Sequence, residues 1–129
     1  MPKEAKPEAA DDQPALNLSV ICGPCSAAPE IRVLESGTRL ATLAVRCPAG
    51  DDRATSVPVT VWDPPAWVET LDAGDAVVVV GSVRRRFFAT RTGARGAKSE
   101  VEAATIAKAT DRQLEQASTR ARAALAALA

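Results

Sequence analysis

The sequence predicts an all-β domain: a five-stranded barrel with a short helix between its third and fourth strands, followed by one C-terminal helix. Three observations predict it. Short runs alternate apolar with polar residues, the two-residue period of a half-buried strand. Clusters of Gly, Pro, Asp and Ser separate those runs. One helical pattern interrupts them after Asp63, and another follows them from Thr110.

The elements follow in order. Residues 1–15 hold Pro2, Pro7 and Pro14 and no aromatic or β-branched side chain, so they predict a disordered N-terminal arm. The barrel domain is assigned to residues 16–108. Leu18, Val20 and Cys22 alternate with Asn17, Ser19 and Ile21 as a first strand. Gly23 permits a bulge and Pro24 breaks the strand; Glu30 to Leu34 resumes it. Ser36-Gly37 is a turn. Arg39 to Arg46 is the second strand, with Leu40, Thr42, Ala44 and Arg46 on one side and Ala41, Leu43 and Val45 on the other. Cys47 to Ala54 is a loop. Thr55 to Trp62 is the third strand, with Val57, Val59 and Val61 facing away from Ser56, Pro58, Thr60 and Trp62. Pro58 donates no ladder hydrogen bond, which predicts an edge or a bulge there.

Asp63-Pro64-Pro65 starts the short helix, with Asp63 as N-cap, Pro64 in the first turn and Gly74 at the end. Trp67 on this helix is expected in the core. Asp75 to Thr90 is a long fourth strand, Val77 to Val80 its buried part. Thr92 to Gly96 is a flexible hairpin tip, and Ser99 to Ile106 is the last strand. The C-terminal helix is assigned to residues 109–129. Thr110 and Gln113 have the spacing of a capping box. Leu114, Ala117, Ala121, Leu125 and Leu128 form a narrow apolar stripe suited to packing across subunits. Five strands with a helix between the third and fourth is the order of the oligonucleotide-binding barrel.

Composition narrows the function classes. The 129 residues make one domain, and 47% are hydrophobic, enough for one core. Sixteen basic residues balance sixteen acidic ones, so whole-chain charge gives no argument for a nucleic-acid partner; only local charge can. No apolar run reaches the roughly 18 residues of a membrane helix. The N-terminus does not read as a secretory signal, and three cysteines are an odd number for a disulfide framework. A cytoplasmic location is the default expectation.

The chemistry concentrates on the fourth strand and its hairpin. Arg84, Arg85, Arg86, Arg91, Arg95 and Lys98 lie there, and no Asp or Glu falls between Gly81 and Lys98. Alternation puts Arg84, Arg86 and Phe88 on one face and Arg85 and Phe87 on the other. Guanidinium beside an exposed ring is what a single strand requires: phosphates pair with the charge, and the π-face accepts any base. The plain alternative is a solvated, charged strand end that deters edge pairing. Trp62 shares a polar face with Ser56, Pro58 and Thr60 and is expected to be exposed. Of Phe87 and Phe88, one is expected to be buried or at a subunit interface.

Cys22-Gly23-Pro24-Cys25 matches the redox motif of thioredoxin-like proteins, where it follows a strand and opens a helix. Here Pro29 stops any helix, and no βαβ pattern surrounds the motif, so small buried hydrophobes are the favoured reading. A zinc site would lack its fourth ligand, with three Cys and no His. Absence of His also removes the commonest general base. The chain reads as a binding module without turnover, cofactor or metal.

Several segments resemble one family. Asn17 to Arg32, Ser36-Gly37 with Leu40 to Val45, Val59-Thr60-Val61-Trp62, Leu71 to Asp75 and Val80 to Arg86 are similar, in order and spacing, to segments of the bacterial single-stranded DNA-binding proteins. The resemblance spans about residues 17–107, and the Arg- and Ala-rich composition resembles that of a high-GC bacterium. It implies bases stacked on aromatics across the outer barrel surface. Trp62 aligns with the family's third-strand aromatic and Phe88 with a fourth-strand one. Two further stacking positions, near Ser56 and around Pro48, are not aromatic here, and the chain ends Ala-Leu-Ala where the family has an acidic, partner-recruiting tip. The implied partners are single-stranded DNA, with RNA as the alternative, and further copies of the chain in a tetramer or dimer. The nucleic-acid-binding candidates are Trp62, Phe88, Arg84, Arg86, Arg91, Arg95 and Arg46. The competing readings are a degenerate barrel acting in protein assembly, and a thiol-disulfide enzyme using Cys22 and Cys25.

Overall fold

A computed structural model describes residues 13–51 and 53–128. Most of the expected arm, residues 1–12, lies outside the described residues. Six strands form: β1 (Ser19–Pro24), β2 (Glu30–Val33), β3 (Arg39–Pro48), β4 (Ala54–Trp62), β5 (Ala76–Ala89) and β6 (Arg95–Lys108). A 3-10 helix, Ala66–Thr70, joins β4 to β5, and α1, Asp111–Ala126, follows β6. The strand order is β1-β5-β6-β4-β3-β2. Every pairing is antiparallel except β4 with β6.

Six strands appear where five were expected because the first is split. Pro24 ends β1, and the chain bends before extending again at Glu30. β1 and β2 are neighbours in sequence yet occupy opposite ends of the strand order, so the first segment closes the sheet into a barrel. Cys25 makes the closing bridge to Val45, and the Ser26 amide donates to the Ala44 carbonyl at 2.8 Å. Gly23 makes the approach possible: a Cβ there would lie 1.8 Å from the Arg46 carbonyl oxygen.

Alternation decides the core. Ala41, Leu43, Val45 and Cys47 of β3 and Val59 and Val61 of β4 point inward with Val77, Val79 and Val101. Pro58 sits just before the short β4–β6 pairing begins at Val59, so this half of β4 is an edge on that side, which is where proline is tolerated. All four valines from Val77 to Val80 are buried, for two reasons. Val77 and Val79 fill the barrel; Val78 and Val80 point outward and are covered with Ala117 of α1.

Two local expectations are corrected. Asp63 is not an N-cap: it takes a left-handed φ of 50°, and the cap position is Pro65, with no side-chain capping bond. Each of two consecutive prolines disfavours right-handed helical backbone at the residue before it, so the helix starts only after both and stays short. Trp67 is half-buried against the core rather than enclosed, with Lys108 Nζ 5.8 Å above its ring. The Thr110 hydroxyl does cap α1, accepting from the Gln113 amide at 3.2 Å. The helix meets the barrel through Ala117, however, and leaves Leu114, Leu125 and Leu128 exposed. A small side chain lets the helix lie close against the flat Val78–Val80 pair, and the leucines then fall to either side.

Candidate nucleic-acid interface

The outward face of β4, β5 and β6 carries the candidate site. Trp62, at the end of β4, is 42% exposed. Its indole Nε1–H donates to Glu102 Oε2 at 2.9 Å. Arg84 Nη1 donates to the other oxygen of the same carboxylate at 2.9 Å. One step along, Arg86 Nη2 donates to Glu100 Oε2 at 3.1 Å, and the buried Thr60 hydroxyl donates to that oxygen at 2.9 Å. Trp62, Arg84, Arg85, Arg86, Glu100 and Glu102 line a shallow recess of about 230 Å³.

Cross-strand register makes this cluster. Arg84 stands opposite Glu100 and Arg86 opposite Lys98, while β4 brings Thr60 beside Glu102. The Arg84 hydrogen bond, helped by the indole, holds the Glu102 carboxyl below the usual carboxylate range. Glu102 therefore stays charged and keeps the edge of the indole fixed, leaving the ring's exposed surface in one orientation. The two carboxylates also occupy the guanidinium groups that phosphates would seek.

Phe88 lies four residues beyond Arg84 on the same face, about 13 Å at the strand rise of ~3.3 Å per residue. It is 46% exposed. Its ring covers Gly96 across the ribbon, where a Cβ would meet a ring carbon at 2.5 Å. Phe87 is 65% exposed and lies on the opposite face. So neither phenylalanine is buried within the chain.

The other candidates spread further. Arg46 is exposed on β3, opposite Ser56 of β4, on the outer side of the same strand pair as Trp62. Arg95 opens β6, opposite Ala89, and Arg91 sits in the hairpin turn between. Among the described residues, none of Arg46, Arg91 and Arg95 enters an ion pair. The structure thus joins Trp62 and Arg84 through Glu102, holds Arg86 beside them on Glu100, places Phe88 further along, and leaves Arg46, Arg91 and Arg95 separate.

Glu100, Glu102 and Thr60 were not among the sequence candidates. Alternation puts Glu100 and Glu102 on one side of the last strand, but only pairing register reveals that this side carries Arg84 and Arg86. The basic run is therefore less electropositive than its own stretch of sequence suggests.

α1 leaves this face open. It packs on Val78 and Val80, the outward residues of the other half of β5, beside a cleft of about 560 Å³ that reaches Trp67, Lys108 and Arg120. The Cys-Gly-Pro-Cys segment lies in and just after β1, with no helix following it, and burial raises the Cys25 thiol pKa. In a redox site of this motif the nucleophile is the first cysteine, here Cys22, set at a helix N-terminus that this segment lacks.

Residues 16–109 match the model of the single-strand binding protein family. The chain belongs to that family. Two solved structures share the fold: a deletion mutant and the wild type of the single-stranded DNA binding protein from Thermus aquaticus. They are 22% and 23% identical, with TM-scores of 0.60 and 0.59, and each alignment covers 74% of this chain. It covers 42% and 41% of those longer chains, so the present chain spans less than half of their length. No curated protein matches. The likeness establishes the oligonucleotide-binding barrel, its first strand counted here as β1 and β2. No described helix is long and apolar enough to cross a membrane.

Proposed function

We propose that this protein binds single-stranded DNA, with little sequence preference, on the outer face that runs from Trp62 past Arg84 and Arg86 to Phe88. One observation carries the reading: two exposed rings and two guanidinium groups share one sheet face that the C-terminal helix leaves uncovered. Trp62 and Phe88 stack bases, and Arg84, Arg86, Arg91, Arg95 and Arg46 meet phosphates. Stacking on a ring is indifferent to base identity. Such a protein shields single strands during replication, recombination or repair, in the cytoplasm, as a homo-oligomer of two or four chains. Binding requires no bond to be made or broken, so the role needs no turnover.

The test is a Trp-fluorescence titration with a long oligo-dT at low and moderate salt, in a Trp67→Phe background so that Trp62 alone reports. Saturable quenching is expected. Its log affinity should fall with log salt by about 0.7 for each phosphate neutralised. No binding at low salt would reject the reading and favour a protein-assembly barrel, in which Glu100 and Glu102 keep Arg86 and Arg84 permanently occupied.

A further inference from the structure

Beyond Gly81 the β5–β6 ribbon carries chemistry on both faces. Residues paired across an antiparallel ribbon share a face. Phe88, Arg86 and Lys98 therefore lie on one side, while Phe87, Arg85, Ala97 and Arg95 lie on the other. Of the phosphate contacts proposed above, Arg95 belongs to this second side; Phe87 and Arg85 were not among the binding residues named there.

Its features form a small site. Phe87 is the most exposed aromatic in the molecule at 65%. The Arg85 guanidinium carbon sits 5.3 Å from the Phe87 ring centroid. Phe87, Arg95, Gly96 and Ala97 line a hollow of about 460 Å³ beside the ring. Gly96 and Ala97 are small, so the ring has room on that side. The electrostatics differ from those of the first face. Arg84 and Arg86 are held by carboxylates, whereas among the described residues neither Arg85 nor Arg95 has an ionic partner.

We propose that this face is a second stacking step for the same single strand, with Phe87 as platform and Arg85 and Arg95 as phosphate contacts. A strand lying along Trp62 and Phe88 rounds the edge of the ribbon and continues on its back. The inference rests on the binding role proposed above and extends it to residues on the reverse face. Charge selects the occupant. A polyanion with planar bases complements an exposed ring beside two guanidinium groups that have no carboxylate partner among the described residues. A second copy docked face to face would set Arg85 and Arg95 against themselves under two-fold symmetry.

The experiment compares full-length wild type, W62A, F87A, F87L and F87Y on two ligands. One is a dT oligomer of about eight nucleotides, inside the ~4–16 nucleotide site of one barrel; the other is several times longer. F87A should bind the long oligomer roughly 5- to 150-fold more weakly and the short one as wild type does. F87L should match F87A, and F87Y should match wild type, because stacking needs the ring and not merely apolar area. W62A should weaken both ligands. Equal binding of the long oligomer by F87A and wild type would overturn the inference, as would rescue by F87L. So would equal loss on both ligands, or a changed native mass of F87A in sedimentation, which would make Phe87 a subunit contact. Binding that responds to W62A but not to F87A would leave the first face standing and remove only the second. A wild type that binds neither ligand would remove both.

Discussion

The two halves of β5 make opposite use of one strand. From Val77 to Val80 every side chain is buried, two in the barrel and two under α1. From Arg84 to Ala89 every side chain is exposed on both faces of a two-stranded ribbon. The glycine between them, Gly81, sits at a register shift in the pairing with β6, where a Cβ would lie 2.1 Å from the Glu102 carbonyl oxygen. Hydrophobic burial therefore stabilises one end of the strand, and the other end is free to carry charge and aromatic surface. The lesson is a separation: stability and binding should respond to different substitutions along a single element.

The sharpest break comes from Val79→Asp. Val79 is fully buried, and an unpaired charge there costs several kcal/mol, against a total stability of about 5–15 kcal/mol. Urea denaturation should show a collapsed transition or none. Folding at wild-type stability would mean that the barrel interior is not the source of stability.

Next come Trp62→Ala and Phe88→Ala. Each should lose roughly 1–3 kcal/mol of oligo-dT affinity, Phe88→Ala read by anisotropy of a labelled oligomer. For Phe88→Ala, which packs on little beyond Gly96, the urea midpoint should shift by less than about 0.5 kcal/mol equivalent. A stability loss as large as the affinity loss would dissolve the distinction between the two halves.

Ala117→Glu tests what covers the buried half. It sets a carboxylate against Val78 and Val80 and should lower thermal stability by about 1–3 kcal/mol, with oligo-dT affinity unchanged. Loss of affinity alongside would mean that α1 also supports the binding face.

The same division explains what the sequence made legible. The barrel was readable because β3 and β4 alternate against a closed interior, where burial enforces the two-residue period, and because Val77 to Val80 form an unbroken apolar run. The short helix was misplaced at Asp63 because capping preference competes poorly with two prolines that fix the backbone. The C-terminal stripe did not reveal that Ala117 alone would be buried against the barrel and Leu114, Leu125 and Leu128 left exposed within the chain, since a periodic pattern states where apolar residues recur and not which neighbour they meet. The site was half legible. Trp62, Phe88 and the arginines stand out by type and alternation. Glu100 and Glu102 belong to the cluster only through register between β5, β6 and β4, and that long-range fact is absent from any one segment.

Those two acids set the smallest and most discriminating effect. Glu102 holds Arg84 and the Trp62 indole together. Replacing it with Gln keeps an acceptor for the indole and removes the competitor for Arg84. Both partners are partly solvent-exposed, so the ion pair contributes only tenths of a kcal/mol. Oligo-dT affinity should rise about two- to fivefold at low salt. The pH dependence carries the sign. The folded carboxyl sits below its ordinary value because Arg84 stabilises the charged form. Its stabilising contribution is therefore present above the unfolded pKa and fades as pH falls through the lowered folded one. Protonation in that acidic window loosens the cluster and frees Arg84 in the same step. Wild-type stability should thus slip slightly while wild-type affinity rises, and Glu102→Gln should show neither change. Parallel curves for the two proteins would mean that Arg84 does not meet phosphate, and the work of charge neutralisation would pass to Arg46, Arg91 and Arg95.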